Sequence, residues 1–213
     1  MKAAGKSLIR LPPPKQVQGF PLKQGLQLIK DNVLLIIAFF LFFQSGFEAI
    51  INNWTTTYLI DHQSIPKNNA LFGLSSFVVG MTIMRLLNGS ILRSVQVKKI
   101  LISSFIMILI GLVLIKSSNS LGLSIAGLVL LGAGLASGFP IMLGFVGDRY
   151  PEFSGTAFSV VLFIALLGNT LINLGMGFVA QNFGVNHLIT FAFSETLIMI
   201  VLSLIVLKRL KSK

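Results

Sequence analysis

Residues 32–60 read NVLLIIAFFLFFQSGFEAIINNWTTTYLI, and this stretch decides the class of the fold. Its first part, Val33 to Phe43, is unbroken hydrocarbon that includes Phe39, Phe40, Phe42 and Phe43. The whole run exceeds the roughly twenty residues that an α-helix needs to cross a bilayer. From Gln44 onward, however, polar side chains enter while the chain is still at membrane depth. One segment is therefore both a span and a candidate site.

Five more apolar segments follow: Asn68 to Leu92, Val97 to Ile115, Leu121 to Val146, about Phe153 to Ala180, and His187 to Leu207. The connections are short, which favours consecutive helices packing as antiparallel neighbours. Composition agrees, with 54% of the residues hydrophobic and only 11% charged. A soluble domain keeps roughly a quarter of its residues charged. The expectation is an all-α membrane protein of six transmembrane helices. Residues 1–31 read as a basic cytoplasmic linker, 32–208 as the membrane domain and 209–213 as a cytoplasmic tail.

The linker holds Lys2, Lys6, Arg10, Lys15, Lys23 and Lys30, with a polyproline spacer at Pro12, Pro13 and Pro14. Leu22, Leu26 and Ile29 share one face of a short helix expected to lie along the membrane surface. No apolar core of a cleavable signal peptide occurs in the first thirty residues.

The net charge of +11 does not indicate nucleic acid, because the basic residues fall between and outside the apolar runs. With the N-terminus inside, fourteen Lys and Arg residues lie on the cytoplasmic side and two, Lys67 and Lys116, lie outside. That positive-inside bias places both termini in the cytoplasm of a plasma (bacterial inner) membrane. The absence of cysteine removes thiol and disulfide chemistry, and no metal-ligand or catalytic pattern such as H-E-x-x-H or G-x-S-x-G occurs. His62 and His187 stand singly at span boundaries. The chain reads as a non-enzyme that needs no metal or other cofactor.

Within the spans, Gln44, Glu48, Asn52 and Thr55 or Thr56 recur at helical spacing along one face of the first segment. Asn53 and Trp54 add an amide and a ring able to stack. A carboxylate and amides at this depth point to a cavity or to another helix. Two readings fit: a water-accessible substrate or proton path, or side chains that tie neighbouring helices. Asn169 and Asn173, one turn apart in the fifth segment, fit either reading too. The fourth segment is rich in small residues, Gly134 and Gly138 among them, and Pro140 is expected to introduce a kink or hinge. Glu195 in the sixth segment reads as a structural acid more than a functional one. The third segment is apolar all round and is expected to face lipid, with the sixth also peripheral.

The inner end of the second span reads Arg85-Leu-Leu-Asn-Gly89-Ser-Ile-Leu-Arg93, followed by Lys98 and Lys99. It resembles the G-R-x-x-x-G-x-L-x-x-R signature between the second and third helices of major facilitator superfamily halves. Met84 replaces the usual glycine, Arg93 stands where the first half often has Asp, and the R-x-G-R-R run is missing. Gly138-Phe-Pro140, Gly147-Asp148-Arg149-Tyr-Pro151, Ser154-Gly-Thr-Ala157, then Gly168 and Gly175 are similar to helices ten and eleven of such transporters. Together with the aromatic, amide-rich first span, they most resemble the fucose and glucose/galactose branch of sugar:proton symporters.

This resemblance implies one six-helix half made of two inverted three-helix repeats, corresponding to helices seven to twelve, with its N-terminal half missing or supplied by a second copy. It implies transport of a small polar solute such as a sugar by proton-coupled alternating access. Gln44, Glu48, Asn52, Asn53, Trp54, Asn169 and Asn173 would face solute or proton, and Glu48 would be the titrating carboxylate. Arg85, Gly89, Arg93, Pro140, Asp148 and Arg149 would serve as gate elements, with Gly89 allowing close helix approach. Two other readings compete: a self-contained six-helix protein that homodimerises, and a membrane enzyme or assembly factor.

Overall fold

The computed structural model describes residues 28, 30–90, 94–117 and 120–211, and among these every regular element is helical. The expected surface helix of the linker and Arg93 lie outside the described residues. Helix α1 runs Asn32–Asp61, α2 Lys67–Ser90 and α3 Val97–Ser117. The fourth span is split into α4, Leu121–Leu135, and α5, Gly138–Arg149. Helix α6 runs Ser154–Phe183 and α7 Leu188–Lys211, joined by a 3₁₀ turn at Val185–His187. Six helices are long and apolar enough to cross a membrane, counting α4 with α5 as one.

The ends of these helices follow local chemistry. Asp31 caps α1, its carboxylate accepting from the backbone N–H of Val33 at 2.7 Å and of Leu34 at 3.4 Å. This satisfies donors that a helix start leaves free. Gly184, at φ 93°, ends α6 in a conformation that side chains with a Cβ rarely adopt.

Packing has an internal symmetry. Helix α1 packs mainly on α6 and α7, while the fourth span packs mainly on α2 and α3. Exchanging the first three spans for the last three maps one set of contacts onto the other. The third and sixth spans, α3 and α7, touch each other across the exchange. This is the arrangement of two inverted three-helix repeats.

Glycine makes the symmetric crossings close. A Cβ on Gly168 of α6 would overlap the backbone of Phe42 in α1, and one on Gly46 of α1 would overlap Ile172 in α6. On the other side, a Cβ on Gly132 of α4 would overlap the backbone of Phe77, and one on Gly80 of α2 that of Val129. These contacts bury more than half of the residues of α1 and of α4. Helices α2 and α6 each keep an exposed apolar side, with Phe72, Val79 and Leu86 on one and Phe163, Leu166 and Leu174 on the other.

The break in the fourth span lies at Ala136 and Ser137, before the proline rather than at it. Pro140 stands in the first turn of α5, where its missing N–H takes nothing from the helix. Side chains of two neighbouring helices brace the break, one on a freed carbonyl and one on a side-chain hydroxyl. The Gln44 amide donates to the Leu135 carbonyl at 2.8 Å, and the Asn88 amide donates to the Ser137 hydroxyl at 2.9 Å. Gly138 is glycine for the same reason: a Cβ there would overlap the Gln44 amide.

Candidate functional site

Five of the polar positions picked out by the sequence, Glu48, Asn52, Asn53, Asn169 and Arg85, converge on one open cavity of about 450 Å³. Helix α1 contributes Glu48, Asn52 and Asn53, together with Ser45 and Ala49; α2 contributes Arg85, α5 Phe139 and α6 Asn169. Glu48 lies sixteen residues into α1, roughly 24 Å along the helix from Asn32 at 1.5 Å per residue. That is near the middle of a helix about 45 Å long.

The charged pair organises this cavity. Arg85 Nη2 stands 4.0 Å from Glu48 Oε2, and the side chains keep 50% and 30% of their surface exposed, so both ends of the pair face the open space. Asn52 turns its amide back to the Glu48 carbonyl at 2.8 Å. Asn169 reaches across to the Ser45 carbonyl at 3.3 Å and so ties α6 to α1 along the cavity edge.

The remaining sequence candidates take other positions. Gln44 is 1% exposed and serves the helix break described above, so it ties helices and does not line the cavity. Asn173 accepts from both Asn53 Nδ2 and Trp54 Nε1, each at 3.1 Å, which joins α1 to α6 just beyond the cavity. Trp54 and Asn173 therefore adjoin the cavity through Asn53 without lining it.

Arg85, placed by sequence among the inner-end elements, turns instead toward Glu48. Gly89 and Pro140 line a second groove of about 580 Å³ with Asn88, Val95, Val97 and Ile141. Arg85 and Phe139 border both spaces, so they partition the central cavity from this groove. Gly89, expected to admit a close helix contact, does not: among the described residues nothing lies within 4 Å of where its Cβ would sit.

At the same end of the bundle, Asp148 is exposed while Arg149 is engaged. Arg149 Nη2 stands 3.4 Å from Asp31 Oδ2, and its Nε donates to the Tyr150 hydroxyl at 3.1 Å. Partial burial pushes the Asp31 carboxyl up, but the Tyr150 hydroxyl, the Val33 N–H and the Arg149 charge outweigh it and hold the group below its ordinary value. Burial first, and then the hydrogen bond to Asp31, push the Tyr150 phenol up to about 12.

Sequence reasoning passed over Phe139 and Asn88. Asn88 carried a usable signal, an amide inside an apolar run; Phe139 carried none, since a phenylalanine in a span is ordinary. Glu195 is 3% exposed on α7, and among the described residues neither of its carboxyl oxygens has a hydrogen-bond partner.

The chain matches the model of the Major Facilitator Superfamily over residues 5–168 and again over residues 64–213. It is also similar to an uncharacterized MFS-type transporter of Yersinia pestis, at 24% identity over 179 residues. That match covers 84% of this chain and 45% of the relative, so the chain spans about half the length of the curated relative it matches.

Proposed function

Because the chain belongs to the major facilitator superfamily, and so to a family of multi-pass membrane transporters, we propose that it forms one wall of a transport path for a small polar solute, a sugar or related metabolite. The observation that carries this reading is the mid-depth cavity with Glu48, Arg85, Asn52, Asn53 and Asn169 on its surface. Polar side chains at this depth are costly unless they meet solute, water or one another. Among the described residues, only part of their hydrogen-bonding capacity is used.

The second wall is a companion six-helix half, or else a second copy. The apolar sides left exposed on α2 and α6, the helices that flank the cavity, support this. Transport proceeds by alternating access with Glu48 as the proton carrier, and the resemblance of the sequence motifs to the sugar symporter branch supports a sugar-like solute. The distribution of Lys and Arg supports an inner-membrane location with both termini in the cytoplasm.

The test is uptake into proteoliposomes containing the chain with its companion half, driven by an inward proton gradient. Saturable accumulation that collapses with a protonophore is the expected result. Folded, bilayer-inserted protein that accumulates no sugar, sugar acid or related metabolite under any gradient would sink the reading.

A further inference from the structure

We propose that the solute is a small hydroxylated carboxylate, and that its carboxylate replaces Glu48 as the partner of Arg85 while Glu48 takes up one proton. This rests on the reading of the cavity as a transport site and names the chemistry of what that site accepts.

The geometry of the pair is the first argument. At 4.0 Å, Arg85 and Glu48 attract each other but are too far apart for a hydrogen bond. Among the described residues the guanidinium donates no hydrogen bond at all. A planar guanidinium binds a carboxylate best through two parallel N–H···O bonds. Half of the Arg85 side chain is exposed, so an incoming carboxylate can take that geometry where Glu48 does not.

Charge balance is the second argument. The lining holds one cation and one anion, hence no net charge. Arg85 from α2 is the charged group that faces Glu48; α5 offers Phe139, α6 offers Asn169, and α1 itself offers Asn52 and Asn53. An anion entering alone would leave one uncompensated negative charge at mid-depth, which is strongly disfavoured. If a proton from water adds to a Glu48 oxygen, the cavity stays neutral, with Arg85 protonated throughout. One proton then accompanies one anion, and no other bond is made or broken. The amides of Asn53 and Asn169 are placed to hydrogen-bond hydroxyl groups on the same solute.

Matched pairs test this: gluconate against glucose, galactonate against galactose, and glycerate against glycerol. Binding to the full chain in lipid nanodiscs, with its companion half where one is encoded, is measured by titration calorimetry. Buffers of different ionisation enthalpy report the protons taken up. The expected result is that at least one carboxylate binds about tenfold or more tightly than its neutral counterpart, with one proton taken up. Its affinity should rise about tenfold for each unit that pH falls while Glu48 starts ionised. Arg85→Gln should weaken carboxylate binding by about tenfold to a hundredfold. Arg85→Lys, which keeps the charge, should lose less and controls for folding. Glu48→Gln should bind without proton uptake and without pH dependence.

Neutral sugars that bind as tightly, indifferent to Arg85→Gln, would overturn the proposal and leave the transport reading standing. Carboxylate binding without proton uptake would overturn it too, as would failure of all three acids to bind. Failure of the transport reading is seen separately, as carboxylates that bind but are never accumulated in the uptake assay.

Discussion

The side-chain amide of Gln44 reaches the carbonyl oxygen of Leu135 at 2.8 Å, at the point where the fourth span gives up its helical hydrogen bonds. The first span thus completes the backbone of the fourth. Gln44→Leu removes that donor and leaves a buried carbonyl unsatisfied, at a cost of about 1–3 kcal/mol. Gly138→Ala should cost a similar amount or more, because its Cβ overlaps the same amide. Thermal unfolding in detergent measures both. A Gln44→Leu variant as stable as the parent would mean that water replaces the amide.

The glycine crossings predict a matched pair of effects. Gly168→Leu drives a side chain into the backbone of Phe42, and Gly132→Leu does the same at Phe77. Each should destabilise by at least the roughly 1–3 kcal/mol typical of overpacking. Gly144→Leu, where a Cβ meets nothing within 4 Å, serves as the neutral control. Yields of monodisperse protein read the difference.

Asp31 and Tyr150 give the bundle end a pH dependence at both extremes. The Asp31 carboxyl is held below its ordinary value of 3.8. The stability it contributes is therefore complete above that value and is lost as pH falls below it, through the depressed folded value. Tyr150 has the opposite sign: its phenol, ordinarily near 10, is pushed up to about 12, so its contribution holds below pH 10 and is lost as pH rises toward 12. Asp31→Ala also removes the cap, at about 1 kcal/mol. Asp31→Asn keeps a capping oxygen; it should remove the acid-side dependence and weaken the alkaline one without abolishing it, because burial also raises the Tyr150 phenol. Melting temperature against pH, compared across the three proteins, checks this.

Trp54 is the single tryptophan of the chain, and its indole N–H is held by Asn173. Asn173→Leu removes that acceptor and should shift Trp54 emission. Asn169→Leu, one turn away, bonds Ser45 instead and should leave the spectrum in place. An Asn173→Leu spectrum identical to the parent's would disprove the contact.

Glu195 sits in the interior, and both oxygens are unpartnered among the described residues. Burying such a group without a hydrogen bond costs on the order of 1–3 kcal/mol. Glu195→Leu should therefore raise the melting temperature. A lower one would show that the carboxyl performs a task that packing does not reveal.

The sequence made the number of spans and their approximate ends legible because both depend on summed hydrophobicity. It did less well with rotation about each helix axis. Periodicity set Gln44 and Glu48 on one stripe, but Gln44 is buried at the helix break while Glu48 opens on the cavity. Arg85 was read by its nearness to the basic loop, yet its guanidinium stands 4.0 Å from the Glu48 carboxylate. Pro140 marked the right helix and missed the break by three residues, because the residues that hold the break open, Gln44 and Asn88, are far away in sequence. Packing partners distant along the chain are what a single sequence leaves unread.

The break at Ala136 and Ser137 also gives the bundle a lever. Helix α5 has twelve residues and is about 18 Å long, with the break at one end. A tilt of roughly ten degrees about Ser137 would move Phe139 by well under 1 Å, yet would carry the far end of a rod of that length by about 3 Å. At that far end sits Arg149, latched to Asp31 at 3.4 Å. Amplification would run from fulcrum to tip: a displacement too small to disturb the cavity wall would be enough to separate Arg149 from Asp31.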